Sequence, residues 1–343
     1  MDMEGVKTSS NNLGTLMDNE FEPRIKKDQE ISMNTIRYRS NRFTTGMVML
    51  VITTILIALT PVAKSEELIG ERIAVVSAFV PELEILKSEI EDRSVHHING
   101  IEFTTGVLEG QNVVLFLSGI SMVNAAMTVQ LALNQFNIRS IVFSGIAGGV
   151  DPQFDIGDVI IAEQWGQYLE MVFARQIEEG WETIPFFEYP YGNFGMMFPR
   201  SVTVVREGLY APETRFWFPA DQELLESALQ AAGSVVLERC TDGGLCLPET
   251  PKISVGGSGV SGGAFIDNAE FRRYIHETFG AQVLDMESAA VAHVAWANDV
   301  PFLAVRSLAD LAGGSGKANQ MEVFIQLAAV NAAKVVKALL REM

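Results

Sequence analysis

Downstream of Arg72 the chain alternates short apolar runs with stretches whose apolar residues recur at helical spacing. "RIAVVSAF" reads as a buried β run. "PELEILKSEI" follows, with Pro81 at a helix start, where its fixed φ and missing N–H are tolerated. "IEFTTGVLEG" and "QNVVLFLSG" read as a hairpin pair, and "MVNAAMTVQLALNQF" as a helix. "IRSIVFSGIAGGV" reads as a buried strand ending in a Gly-rich turn, and "FDIGDVIIAE" as another strand. The C-terminal part repeats the alternation: helix "NAEFRRYIHETF", strand "AQVLDM", helix "ESAAVAHVAWAN", strand "PFLAVRSLAD" and helix "QMEVFIQLAAVNAAKVVKALLREM". This order predicts one α/β domain over about 70–343, a three-layer α/β/α sandwich around a central mixed sheet. Residues 165–250 interrupt it with an irregular, aromatic-rich insert. Its aromatics argue against disorder and for a packed excursion or an oligomer contact.

The N-terminal part is patterned differently. Residues 1–46 are polar and basic in patches, and 47–65 contain the run "MVMLVITTILIALTPVA" followed by small residues. Arg37, Arg39 and Arg42 precede the run, and Ala63 and Ser65 form a small-x-small site after it. That is the order of a secretory signal, with Met33 an alternative start. A membrane anchor at 47–63 is the competing reading, because the run reaches the lower limit for a span. Either predicts an exported, periplasmic or extracellular protein or an anchored one, with membrane contact only through this segment.

Composition narrows the classes. The formal net charge is −18, and residues 1–45 hold seven acids and seven bases, so the excess lies downstream. An acidic body repels phosphate backbones, which argues against nucleic acid as a partner. Cys240 and Cys246 are the two cysteines, and export makes a short disulfide staple the favoured reading. The scattered histidines and the absence of ligand spacing imply no metal and no cofactor. His293, on an apolar helix, reads as a packed residue.

Strand ends are where an α/β sheet binds ligands. Glu82 follows the first strand. Asp285, Met286 and Glu287 follow the penultimate one, and Arg306 and Asp310 belong to the last. Two Gly-rich turns, "SGIAGGV" and "VGGSGVSGGAFIDN", accompany them. Each has a structural reading: an acid there caps a helix or suits its dipole, and an Asp begins a turn.

Taken together, "VVSAFVPELEIL", "SGIAGGVDPQFDIGDVIIA", "GGAFIDN", "DMESAAVAHVA" and "VRSLADLAGG" resemble the nucleoside phosphorylase and nucleosidase superfamily, in the same order. The likeness is greatest to methylthioadenosine/S-adenosylhomocysteine nucleosidases and to plant bark or vegetative storage proteins. It implies a nucleoside phosphorylase-like fold, a homo-oligomer and cleavage of a purine N-glycosidic bond. In that family Asp310 matches the acid that protonates the departing base, for which burial must raise its pKa. Glu287 matches the acceptor of the ribose hydroxyls, with Met286 beside the sugar. Phe265 matches the residue stacked on the base, and the Ile266 backbone the group reading its edge. Arg306, Gly145 and Ile146 belong to the substrate-binding set, and Glu82 matches the acid that binds the attacking water.

An acid at Glu82 repels phosphate, which favours hydrolysis over phosphorolysis. Two positions depart from the family: Ile146 replaces a hydroxyl residue, and Ala309 a Ser before the acid. A weakly catalytic nucleoside-binding or storage relative and a phosphate-dependent phosphorylase are therefore alternatives.

Overall fold

Ile73, Ala74, Val75 and Val76 are all fully buried. A strand apolar on both faces belongs in the middle of a sheet covered on both sides. The computed structural model, which describes residues 70–314 and 318–343, places them there. The polar segment 1–46 and the apolar run 47–65 lie outside the described residues.

The main sheet has twelve strands. They are β1 (Arg72–Ser77), β2 (Glu91–Ile98), β3 (Ile101–Leu108), β4 (Gln111–Leu117), β5 (Ile138–Gly149) and β6 (Val159–Ile161), then β7 (Gln164–Gln167), β8 (Trp217–Pro219), β9 (Ile253–Val255), β10 (Ser258–Ser261), β11 (Ala281–Asp285) and β12 (Phe302–Asp310). The path runs β8-β7-β10-β11-β5-β1-β4-β3-β2, with β12 joining β5 to β6 and β9 beside β6. β5 is the hub. It runs parallel to β1 (Val76 opposite Phe143) and to β12 (Phe302 opposite Ile141), and meets β11 antiparallel at Gly148 and Gly149. The sheet is therefore mixed.

Alternation along the central strands sends side chains into two cores. Ala74, Val76, Ile141, Phe143 and Ala304 pack on one face with Ala125, Val129, Ala289 and Ala292. These last come from α2 (Met122–Gln135) and α5 (Ser288–Ala297). Ile73, Val75, Val142, Leu303 and Val305 pack on the other with Leu86, Leu224, Val336 and Leu339. Those belong to α1 (Val80–Lys87), α3 (Gln222–Ala232) and α6 (Met321–Glu342). A third apolar cluster seats α4 (Ala269–Phe279) on Leu284. By length and apolar content α6 would span a membrane, but most of it is buried against the sheet.

Several local expectations are corrected. "IRSIVFSGIAGG" is one twelve-residue strand, so the Gly-rich part of β5 is no turn. Its glycines answer crowding. A Cβ on Gly145 would lie 2.0 Å from Arg306 Nη1 and 2.7 Å from Glu82 Oε1, and one on Gly149 2.9 Å from Leu308. "VGGSGVSGG" likewise holds β10, flanked by glycine pairs, with Gly259 pressed on Trp165. β2 and α3 escaped the sequence reading: β2 alternates intermediate and exposed residues, which leaves no apolar run to find.

The insert combines buried and exposed parts. Phe216 stacks on Phe279 at 5.3 Å and Phe218 on His293 at 4.3 Å. Before them in the chain, within 171–215, lie three two-stranded ribbons, and in this stretch Phe173, Phe186 and Tyr210 are exposed. Cys240 and Cys246 are joined as a disulfide. Leu247, the residue after the loop they close, packs with Ile156, Phe324 and Leu327.

Crowding at Gly145 is testable. Gly145→Ala is expected to lose about 1–3 kcal/mol in chemical denaturation, the usual cost of overpacking. Gly192→Ala, where an added Cβ meets nothing within 4 Å, is expected to change stability by under about 0.5 kcal/mol.

Candidate active site

The sharp end of β1 sets the first acid. The chain leaves Ser77 and turns into α1 with Pro81 in its first turn. Glu82, one residue on, folds back: its Oε2 accepts the N–H groups of Ala78 at 2.8 Å and Phe79 at 3.2 Å. The return bond to Phe79 is half of a capping box. Its Oε1 accepts the Ile146 N–H from β5 at 2.8 Å. So the helix-cap reading of Glu82 is correct, and the same carboxylate also faces a cavity.

At the end of β11 two acids divide the work. Asp285 is the cap of α5, accepting the N–H groups of Glu287 at 3.2 Å and Ser288 at 3.1 Å. The Ser261 and Ser288 hydroxyls donate to it as well. Its Oδ2 also lies 2.8 Å from Arg306 Nε. Glu287 occupies the cap position but caps nothing with its side chain. Instead it accepts the Ser121 N–H at 2.8 Å. Ser121 holds φ at +90°, a strained value for a residue with a Cβ, and this bond is what that conformation delivers. Asp310 ends β12, and its Oδ1 accepts the Ala312 N–H at 2.7 Å.

These ends border one cavity of about 160 Å³, at the carboxyl edge of the sheet. Of the nine candidates, Glu82, Ile146, Phe265, Ile266, Met286, Glu287 and Asp310 line it. Gly145 and Arg306 do not. Arg306 is fully buried in mid-strand, behind the wall, its guanidinium carbon 3.9 Å from the Phe143 ring centroid and Nη2 3.9 Å from Glu287 Oε2. Gly145 is the space that lets it fit. Both are therefore corrected from cavity-lining residues to supports.

Sequence reasoning missed Phe79, Ile120 and Met321 in the wall. Met321 enters from the first turn of α6, a route no local pattern reveals. Ile120 precedes the strained Ser121, and the "SGIS" turn after β4 was the one available hint.

Among the described residues four carboxylates border the cavity, and no Lys, Arg or His does. Burial raises the Glu82 pKa, against the opposing pull of Arg306 and its three N–H donors. Burial, with the charge of Asp285, lifts Glu287 to about 7, again opposed by Arg306 and the Ser121 N–H. Burial lifts Asp310 to about 6; the Ala312 N–H opposes and the charge of Asp267 adds. The arrangement can thus hold protons near neutrality on one side of a bound molecule and accept hydrogen bonds on the other. Among the described residues no His/Cys/carboxylate group is placed to hold a metal.

Comparison with known proteins fits this geometry. The 5'-methylthioadenosine/S-adenosylhomocysteine nucleosidase of Staphylococcus aureus (strain JH9) is 28% identical over 272 residues, covering 79% of this chain and 100% of that protein. The solved nucleosidase of the same name from Neisseria meningitidis, in complex with methylthio-immucillin-A, superposes with a TM-score of 0.58 at 23% identity. It covers 79% of this chain and 99% of the other. Futalosine hydrolase of Helicobacter pylori strain 26695 gives 0.60 at 21% identity, covering 81% and 100%. Both superpositions establish the shared fold. The family model for the phosphorylase superfamily matches residues 72–341, nearly all of the described structure, and the chain belongs to that superfamily.

Proposed function

We propose that this protein hydrolyses the N-glycosidic bond of a purine nucleoside or thionucleoside, releasing base and sugar. One observation carries the reading: Glu82, Glu287 and Asp310 reach one cavity from three strand ends, and among the described residues no cationic side chain lines it. Asp310 donates a proton to the departing base, for which a pKa of about 6 is well matched. Glu287 accepts the ribose hydroxyls and steadies positive charge growing at the anomeric carbon. Glu82 orients water and takes its proton. Phe265, half exposed at the rim, covers the base, and Met286 lies against the sugar. Phosphate needs positive charge at the nucleophile, and this wall offers carboxylates instead. The hydrolytic activities named for relatives support the same choice.

One observation favours a weaker relative. Ile146 puts hydrocarbon beside Glu82, where a hydroxyl would help hold water. The order of basic, apolar and small residues before Glu66 supports an exported or anchored protein. The exposed Ile120, Val123 and Met127 beside the site support a homo-oligomer.

The deciding assay is chromatographic detection of free purine from adenosine, inosine and methylthioadenosine, with and without phosphate. Release independent of phosphate is expected. Release only with phosphate refutes the hydrolytic reading, and binding without release leaves a binding or storage protein. Glu82→Gln and Asp310→Asn are each expected to lower kcat by about 10²–10⁴, the usual share of a general acid or base.

The pH profile follows from the proton affinities of Glu287 and Asp310. Glu287 must be ionised and Asp310 protonated, yet their pKa values are about 7 and about 6, in the unfavourable order. A bell in kcat/KM with its maximum between the two values is expected. A flat profile from pH 5 to 8 would exclude these roles.

Stability moves the other way. Asp310 titrates at about 6 folded against 3.8 for the free side chain, so folding favours its protonated form. Its contribution is intact below pH 3.8 and is lost as pH rises to about 6. Asp310→Asn removes that loss, and is expected to stabilise the protein at pH 8 relative to wild type by up to about 3 kcal/mol. At pH 4 the gain should vanish, as thermal melts at both pH values would show.

A further inference from the structure

Hydrolysis as proposed is neutral in protons overall, yet it leaves one in the wrong place. Water adds its oxygen to the anomeric carbon and passes one proton to Glu82. The base leaves with the proton that Asp310 held. At the end of each turnover Glu82 has gained a proton and Asp310 has lost one, on opposite sides of the sugar. Asp310 must be recharged before the next cycle. It is only 4% exposed, so little of it meets bulk solvent directly.

The structure has a second opening onto Asp310. Behind it lies a small cavity of about 10 Å³, lined by Ile156, Asp267, Asp310, Leu311, Asn319 and Gln320, with Gly313. That is room for about one water molecule. Asp310 lines both this cavity and the larger one, so the two meet at this residue. Asp267 is exposed to solvent, and Asn319 Nδ2 donates to its Oδ1 at 3.2 Å. Glu82, Asp285 and Glu287 face the front cavity with Asp310. Arg272 lies against Gly314 and donates to the Gly149 carbonyl. Asp267 alone among these charges shares the rear cavity, and its charge favours a proton on Asp310.

We propose that Asp267 is a proton-relay residue: it takes a proton from solvent and passes it through the rear cavity to Asp310 after each turnover. The relay rests on the hydrolytic reading above, and Asp267 itself does not line the front cavity. A carboxylate is suited to the task because it can be protonated from bulk water and release the proton one water away. The Asn319 amide holds it in place.

The test compares single-turnover with steady-state base release from methylthioadenosine for wild type, Asp267→Asn and Asp267→Glu. Asp267 is exposed, and Asn keeps the acceptor for Asn319, so the fold is expected to survive; a thermal melt checks this. With Asp310 loaded at pH 5.5 beforehand, Asp267→Asn is expected to keep single-turnover release within about 2-fold of wild type. Its steady-state rate at pH 7.5 should fall about 10-fold, recover with rising formic acid–formate buffer, and be restored in Asp267→Glu. The alkaline limb of its profile should also move to lower pH. Equal loss in both regimes would mean a structural role and overturn the relay. So would an unchanged steady-state rate. If wild type releases no base, the hydrolytic reading falls and the relay with it; if wild type is active and Asp267→Asn is indistinguishable from it, the relay alone falls.

Discussion

The guanidinium of Arg306 is the charge around which the site is arranged. It is buried completely, in the middle of β12, paired with Asp285 and seated on the Phe143 ring. A buried pair of this kind adds little net stability, because desolvation offsets the attraction. Its value is positional. Asp285 also caps α5 and is itself held by Ser261 and Ser288. The one pair therefore ties the strand that ends in Asp310 to the helix that begins after Glu287. Arg306 also moderates the proton affinity of Glu82 and Glu287. The absence of a side chain at Gly145 is the condition for all of this.

Much of this architecture was legible because it follows from patterns that a chain carries locally. The buried runs at 72–77 and 302–310 had to be central strands, and the helical spacing at 321–342 had to cover them. The acids were legible as a set because three strand ends each carried one. What escaped detection was long-range. Gly145 and Gly148 look like a turn in sequence, and only the packing of Arg306 and Asp310 against them shows a strand stripped of Cβ atoms. Arg306 looks like a ligand-binding residue near a strand end, but three residues of strand lie between it and Asp310. Met321 and Ser121 reach the site through the fold alone. β2 was invisible because an edge strand with little burial leaves no apolar signature.

The electrostatics carry a cost that the fold has to absorb. Among the described residues, four carboxylates share a largely apolar hollow with the Arg306 guanidinium behind it. Such a set cannot be fully ionised, and the raised proton affinities of Glu82, Glu287 and Asp310 express that. Catalysis and stability thus pull on the same groups. The sheet supplies rigidity around them, with strands apolar on both faces and helices covering each side. The aromatic insert adds an outer brace through Phe218 against His293, on the helix that Asp285 caps.

Glu82 is fastened by main-chain donors, one of them the N–H of Ile146. The side chain at 146 has no part in that fastening, although it borders the hollow. Anchorage and surface chemistry at this position are therefore separable: one belongs to the backbone, the other to whichever residue is encoded there. A lineage carrying this fold can exchange hydrocarbon for hydroxyl at 146 by altering a codon, and leave the acid beside it where it stands. Diversification of the nucleophile side requires no rebuilding of the framework.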